Sequence, residues 1–487
     1  MKGKKYLSMV LFGALCLPAA SQAEPPTNQE LYDMILDLKQ ELKASKEEAA
    51  AAKKELAEIK GEAEIKGEAE KKGVAEWDES KGLGSDAVSM DTEFEKSYLT
   101  WKSADGNFKY KIDGRIQLDT GAVSNSKDFN NDGDPYSLYA NTEFRRVRLA
   151  IKAQMYKDWN GEFDIDFADE EVDIKDMWMS YNGFFNTIIK LGNSKPLFCM
   201  DELTTSRWIT FMERSMVSDA FSPGRRIGLS GTNWGKYYFA GISVFGDELD
   251  GDAEYGSETE QSEPYGYSAR LVGRPMVSDD NSRIVHVGFN YMNAKPAKSD
   301  QADDGFRYRT RSEAHFVDYR YLEQANLDAV DDTTTYGFEL AAKWNKLHGQ
   351  AEYMKSTINR SGGNPDADAD GWYVQASYFL TDDQRAYNLE DAEFGAVMPK
   401  GKWGAFEIAA RFSTLDLNDV SVWGNDVDDN GGSSDAITLA ANWYINNNFM
   451  VKTNYIMVDH DDNANGGGDF ASDDDLDIFG MRFQYLF

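Results

Sequence analysis

The chain has 487 residues, with 84 Asp and Glu against 51 Lys and Arg and a formal net charge of −33. So acidic a balance excludes nucleic acid as a partner, because phosphate backbones are bound through Lys and Arg. Two cysteines, four histidines at no ligand spacing, and no Ser–His–Asp, zinc or phosphate-loop signature leave no expected cofactor, metal site or enzyme.

Residues 1–23 have the form of a secretory signal: Lys2, Lys4 and Lys5, an apolar run from Tyr6 to Leu17, and the small-residue site Ser21-Gln22-Ala23. The run is shorter than the ~20 residues a membrane-spanning helix needs. Cleavage leaves Cys199 as the one cysteine, so no internal disulfide is expected. In residues 24–75 a heptad stripe (Leu31, Ile35, Leu38, Leu42, Ala49, Ala52, Leu56, Ile59, Ala63) has Lys and Glu at most positions between. It predicts an N-terminal α-helical coiled coil in the periplasm. The repeat IKGEAE at 59–64 and 65–70 brings in Gly61 and Gly67, each lowering helix stability by about 1 kcal/mol relative to alanine. Residues 76–97, rich in Gly, Ser and acid, read as an acidic linker.

From Tyr98 to Phe487 the hydrophobic period becomes two. Between Phe108 and Asp119 every even position is apolar or glycine and every odd one polar or charged. The same register recurs at Val147–Met155, Phe163–Phe167, Phe406–Phe412 and Ile437–Trp443. Such alternation fits a soluble sandwich with its apolar face inward, or a membrane barrel with that face outward. Turn lengths favour the barrel. A long acidic segment (Leu415–Asp435) precedes a strand ending at Tyr444, a tight Asn446-Asn447-Asn448 turn follows, and Asp459–Asp477 is long and acidic again. The terminus, with Met481, Phe483, Tyr485 and Phe487 alternating, resembles the insertion signal of bacterial outer-membrane barrels. The expected fold is an all-β transmembrane antiparallel barrel over 98–487, with room for about 16 strands of ~10 residues.

Acid is concentrated in the expected loops. Asp247–Glu263 holds eight Asp and Glu, Leu415–Asp435 six and Asp459–Asp477 eight, with no Lys or Arg in any of them. Asp366, Asp368 and Asp370, and likewise Asp426 and Asp428, have the opening spacing of a calcium loop without its closing Glu. Solvated acidic loops are the first reading there, weak divalent-cation binding the second. Gly192–Leu229 breaks the strand pattern with a proline, a helix-like run from Asp201 to Met216 and a Ser-Pro-Gly turn. Arg207, Arg214, Arg225 and Arg226 are spread through it, and Trp208, Ile209, Phe211, Met212 and Phe221 make it too apolar for disorder.

GRIQLD at 114–119, FRRVRLAI at 144–151, DFADEEVDIKDMWMSY at 166–181, ELTTSRWITFMERS at 202–215 and ANWYINNN at 441–448 resemble the phosphate-selective porin O and P family. The resemblance implies a trimeric 16-stranded barrel in the bacterial outer membrane, whose inward-folded loop, about 197–226, narrows the pore. It places anion-holding groups at Arg115, Arg145, Arg146, Thr205 and Ser206; Arg207 and Arg225 of the loop join them as candidates. Glu202 stands where phosphate-specific members carry lysine, and Arg148 where they carry tyrosine. Asp164 and Asp166 are the candidate partners of Arg145 and Arg146 across the wall. The implied function is a passive porin for small inorganic anions such as phosphate, embedded in outer-membrane lipid. The alternatives are a weakly selective or cation-preferring porin, and an envelope tether reaching the cell wall through its coiled coil.

Overall fold

The structure is a computed structural model that describes residues 90–95, 98–124, 126–127, 140–168, 172–249, 265–295, 301–302, 305–424 and 429–487. The signal, the coiled coil and most of the linker lie outside the described residues, as do positions 250–264 of the first acidic segment. Val88–Phe487 forms one compact unit.

Sixteen strands, from Phe108–Ser124 to Leu476–Leu486, run up and down in sequence order, each antiparallel to the next. The last pairs with the first from Asp477↔Ser124 to Leu486↔Arg115, which closes the sheet and removes its edges. Two further strands, Met90–Glu95 and Tyr98–Ser103, form a hairpin that continues the sheet below the C-terminus, through Leu99↔Ile112 to Lys102↔Lys109. Met90–Glu95 falls inside the stretch read as linker.

The alternation points the way a membrane barrel requires. Ile151, Ile408, Leu439 and Phe483 are 46%, 47%, 47% and 46% exposed on the outside, whereas Asp119, Lys452 and Arg482 on the inside are at 0%. A soluble sandwich would reverse this. Turns at one end are short, such as 445–448, except that residues 380–404 carry a hairpin, Arg385–Asn388 paired with Glu393–Val397. The other end bears the long loops. The acidic segments expected to be solvated are instead partly folded there: Leu415, Leu417, Ala464, Phe470 and Leu476 share one apolar cluster with Phe306, Phe316 and Tyr321. Asp474 is fully buried and accepts from Tyr321 Oη at 2.7 Å. Asp368 and Asp370 lie on the exposed face of the strand Ala367–Phe379, so their spacing is strand alternation.

Three inserts fill much of the lumen: residues 195–225, the loop around 305–329, and the hairpin 385–397. Phe316 seats over the paired Gly121 and Gly480, where a Cβ would lie 2.2 and 3.0 Å from its ring. Closure uses another glycine. Gly114 N–H donates to Phe487 O at 2.7 Å, and Phe487 N–H donates back at 3.2 Å. A Cβ at Gly114 would lie 2.4 Å from the Phe487 ring and 2.6 Å from the Arg148 carbonyl oxygen. Gly114→Val should therefore destabilise the barrel by on the order of 1–3 kcal/mol. The loss should be visible as a lower unfolding midpoint in a heat-modifiability gel or in tryptophan fluorescence.

Candidate functional site

Asp201–Met216 does not form the helix its sequence suggests. Only Met200–Leu203 and Met216–Phe221 are helical. Between them the backbone is held from outside. Seven side chains take the eight consecutive carbonyls from Ser206 to Glu213: Gln117 (3.2 Å), Gln484 (3.2 Å), Arg385, Lys452 (twice, 3.2 Å at Phe211), Asn442 (2.9 Å), Arg482 and Arg411 (3.1 Å). A carbonyl bonded to an outside side chain has no need of an intrahelical partner, so the segment crosses the lumen as a turn at 206–208 followed by bends at 210–213. Its start is fixed by Glu352, which accepts from Met200 N at 2.9 Å, Asp201 N at 2.8 Å and Tyr373 Oη at 2.6 Å. Leu197 packs over Gly241, where a Cβ would lie 2.7 Å away.

The same device holds the hairpin at the short-turn end. Arg270 donates to the Asp391 and Ala392 carbonyls at 2.8 and 2.9 Å, and Arg274 to that of Leu389 at 3.0 Å. Glu313 anchors the third insert by accepting from Arg411 (3.0 Å), Ser413 (2.5 Å) and Thr438 (2.7 Å). One half of the lumen is thereby filled.

The open passage lies against the other half of the wall, the strands from Phe108–Ser124 to Tyr238–Phe245, as a cavity of about 830 Å³. All eight residues expected from sequence, Arg115, Arg145, Arg146, Arg148, Thr205, Ser206, Arg207 and Arg225, line it. Among the described residues its lining carries thirteen Lys and Arg against seven Asp and Glu. Arg115 donates to Ser206 Oγ at 2.9 Å and Thr205 Oγ1 at 3.3 Å, and lies 3.8 Å from Asp164. Arg148 pairs with Asp166 at 2.6 Å, Arg207 with Asp113 at 2.6 Å and Arg225 with Asp176 at 2.6 Å.

Arg145 and Arg146 do not pair with Asp164 or Asp166. A register shift between Gln117 and Leu118 sets Arg146 opposite Gln117 and Phe144 opposite Leu118, leaving Arg145 as the extra residue of a β-bulge. Both guanidiniums then reach inward to Glu213, Arg145 Nε at 3.0 Å and Arg146 Nη1 at 3.4 Å. Burial would raise the Glu213 carboxyl, but Arg145, Arg146 and Arg482 outweigh it and hold its pKa well below the usual range. Glu202 lies between Lys195 (2.7 Å) and Arg214 (2.9 Å). Burial pushes its carboxyl up, but Arg214 and Lys195 more than reverse that and lower its pKa.

Sequence reading missed Lys175 and Lys190 on the wall, Lys195 at the start of the crossing insert, and Glu390, Asp391 and Glu393 on the hairpin, all of which line the passage. The length of 380–404, far beyond the median connection of ~4–6 residues, was a signal for the hairpin. Nothing in the sequence marked Glu213 as the partner of the arginine pair.

A sequence model of the family described as phosphate-selective porin O and P matches residues 110–487. An uncharacterised protein of Caulobacter vibrioides is 29% identical over 410 residues, covering 80% of this chain and 77% of its own. Porin O of Pseudomonas aeruginosa is 26% identical over 429 residues, covering 80% and 91%. Among solved structures, the anion-selective porin from Comamonas acidovorans superposes with a TM-score of 0.47 at 12% identity, covering 78% of this chain and 100% of that one.

Replacing Glu352 tests the anchoring of the crossing segment. Glu352→Ala leaves two buried backbone N–H groups unpaired, at about 1–3 kcal/mol each. Amide exchange at Met200 and Asp201 should speed up by about tenfold or more while the barrel strands keep their protection. Unchanged exchange at those amides would show that the segment is held without Glu352.

Proposed function

The chain belongs to the phosphate-selective porin O and P family, and from that membership we propose that its outer-membrane barrel is a passive diffusion channel for small anions, phosphate among them. The observation that carries the anion preference is the lining of the open passage, with thirteen basic against seven acidic residues in a chain whose net charge is −33. A guanidinium matches phosphate oxygens with paired hydrogen bonds. At ~4 Å and an effective dielectric near 20 one such contact is worth roughly 4 kcal/mol before desolvation is subtracted. Loop carboxylates at the mouth act through water and salt, which screen them within about 8 Å.

The two departures from the family's phosphate-specific pattern bear on this less than a charge count suggests. Glu202 is neutralised by Lys195 and Arg214. Arg148 adds a positive group to the passage, balanced by Asp166 at 2.6 Å.

The low wall supports a homotrimer. Three of its strands, Trp159–Asp166, Thr187–Ser194 and Tyr238–Phe245, are only 8 residues long. A lipid-spanning strand needs about 9–11 residues, so a neighbouring copy is the better cover for this side.

Acid also favours a second reading. Glu390, Asp391 and Glu393 line the short-turn end of the passage, as a weakly selective or cation-preferring pore would have them. Reversal potentials in a planar bilayer under a KCl gradient, repeated with potassium phosphate, separate the two. The wild type should prefer chloride and be blocked by phosphate at millimolar concentration. Lys109→Gln with Lys190→Gln should lower the chloride-to-potassium permeability ratio by about two- to threefold. Neutralising Asp473 and Asp475, exposed in the last long loop, should change it little. A wild type that prefers potassium would replace the anion channel with the second reading.

A further inference from the structure

We propose that Glu213 is a specificity-determining residue, a resident carboxylate that occupies the Arg145–Arg146 pair and keeps its affinity for passing anions low. The proposal rests on the anion-channel reading and says how that channel avoids trapping its solute.

Two adjacent guanidiniums on one face form a ready-made anion fork, and here it is already filled. Arg145 donates to both Glu213 oxygens, through Nε at 3.0 Å and Nη2 at 3.3 Å. Arg146 does the same at 3.4 and 3.4 Å. Among the described residues Glu213 is the one carboxylate within ion-pair distance of either arginine. The cluster still meets water: the side chains of Arg145 and Glu213 keep 20% and 14% exposure, against 4% for Arg115.

Two simpler roles do not need this carboxylate. Arg482 also donates to Glu213, at 2.5 Å, but it is already neutralised by Asp119, with two contacts of 2.6 Å. The crossing segment is already fixed at this point by its backbone, since Arg411 holds the Glu213 carbonyl at 3.1 Å and Arg482 holds that of Met212. What the side chain adds is competition. An anion that uses the Arg145–Arg146 pair must displace a carboxylate that makes the same charge-assisted bonds, and it is displaced in turn when the carboxylate returns. A channel needs its solute bound firmly enough to enter and loosely enough to leave.

The test uses the full chain reconstituted in planar bilayers, with inorganic phosphate as blocker of the chloride current. Glu213→Gln keeps the size and an acceptor but removes the charge. It should lower the half-blocking phosphate concentration by about tenfold and raise anion preference, because two arginines lose their internal counter-ion. Glu213→Asp keeps the charge and should stay near wild type. If the wild type prefers anions but the Gln variant is blocked at the wild-type concentration, the proposal is overturned while the channel reading stands. If the wild type prefers cations, both fall. If the Gln variant fails to assemble while the Asp variant assembles, the carboxylate is a structural anchor and the proposal is rejected.

Discussion

Everything inside the barrel depends on one requirement: a polypeptide that leaves the wall and crosses the lumen must find partners for its backbone. Water can supply them only where the lumen stays wet. The segment 206–213 solves this with side chains, giving each of its eight carbonyls to Gln, Asn, Lys or Arg from the wall and the short-turn hairpin. Charge-assisted bonds of this kind are worth about 1.5–3 kcal/mol each, roughly twice a neutral one. The clamp thus fixes a segment that would otherwise be a flexible strap.

This clamp also decides which cations remain for solutes. Arg385, Arg411, Lys452 and Arg482 face inward by strand alternation or through the hairpin, and all four are used up on carbonyls of the crossing segment. Arg270 and Arg274 are used up the same way on the hairpin. Among the described residues the wall behind the inserts therefore contributes no basic residue to the passage, the open wall from Phe108 to Phe245 contributes nine, and the crossing insert adds Lys195, Arg207, Arg214 and Arg225. A net charge of −33 and a basic passage are compatible because the excess acid lies elsewhere. Screening makes distance count more than sum.

Local irregularity does the finest work. A regular strand would send Arg145 outward toward lipid and only Arg146 inward. The bulge opposite Gln117 turns both inward, and a second register shift, between Phe163 and Ile165, accompanies Lys175 and Asp176 both lining the passage. One extra residue in a strand is enough to double the charge on one face.

Sequence alone determined the architecture. Period-two alternation, alternating turn lengths and the aromatic terminal strand specify a closed antiparallel barrel, because a bilayer rewards one apolar face and punishes unpaired backbone. It also named eight residues, five of them through family motifs, that line one passage. It could not give their partners. Asp164 and Asp166 were the near candidates for Arg145 and Arg146, yet the carboxylate that reaches them, Glu213, is 67 residues from Arg146 along the chain. The crossing segment read as a helix-like run, and Trp208, Ile209, Phe211 and Met212 marked it only as too apolar for disorder. Only the tertiary structure supplied the wall donors that hold its carbonyls apart from one another. Periodicity records which face a residue turns to its surroundings. Which distant group meets it there depends on how loops of variable length fold back, and that leaves no periodic trace.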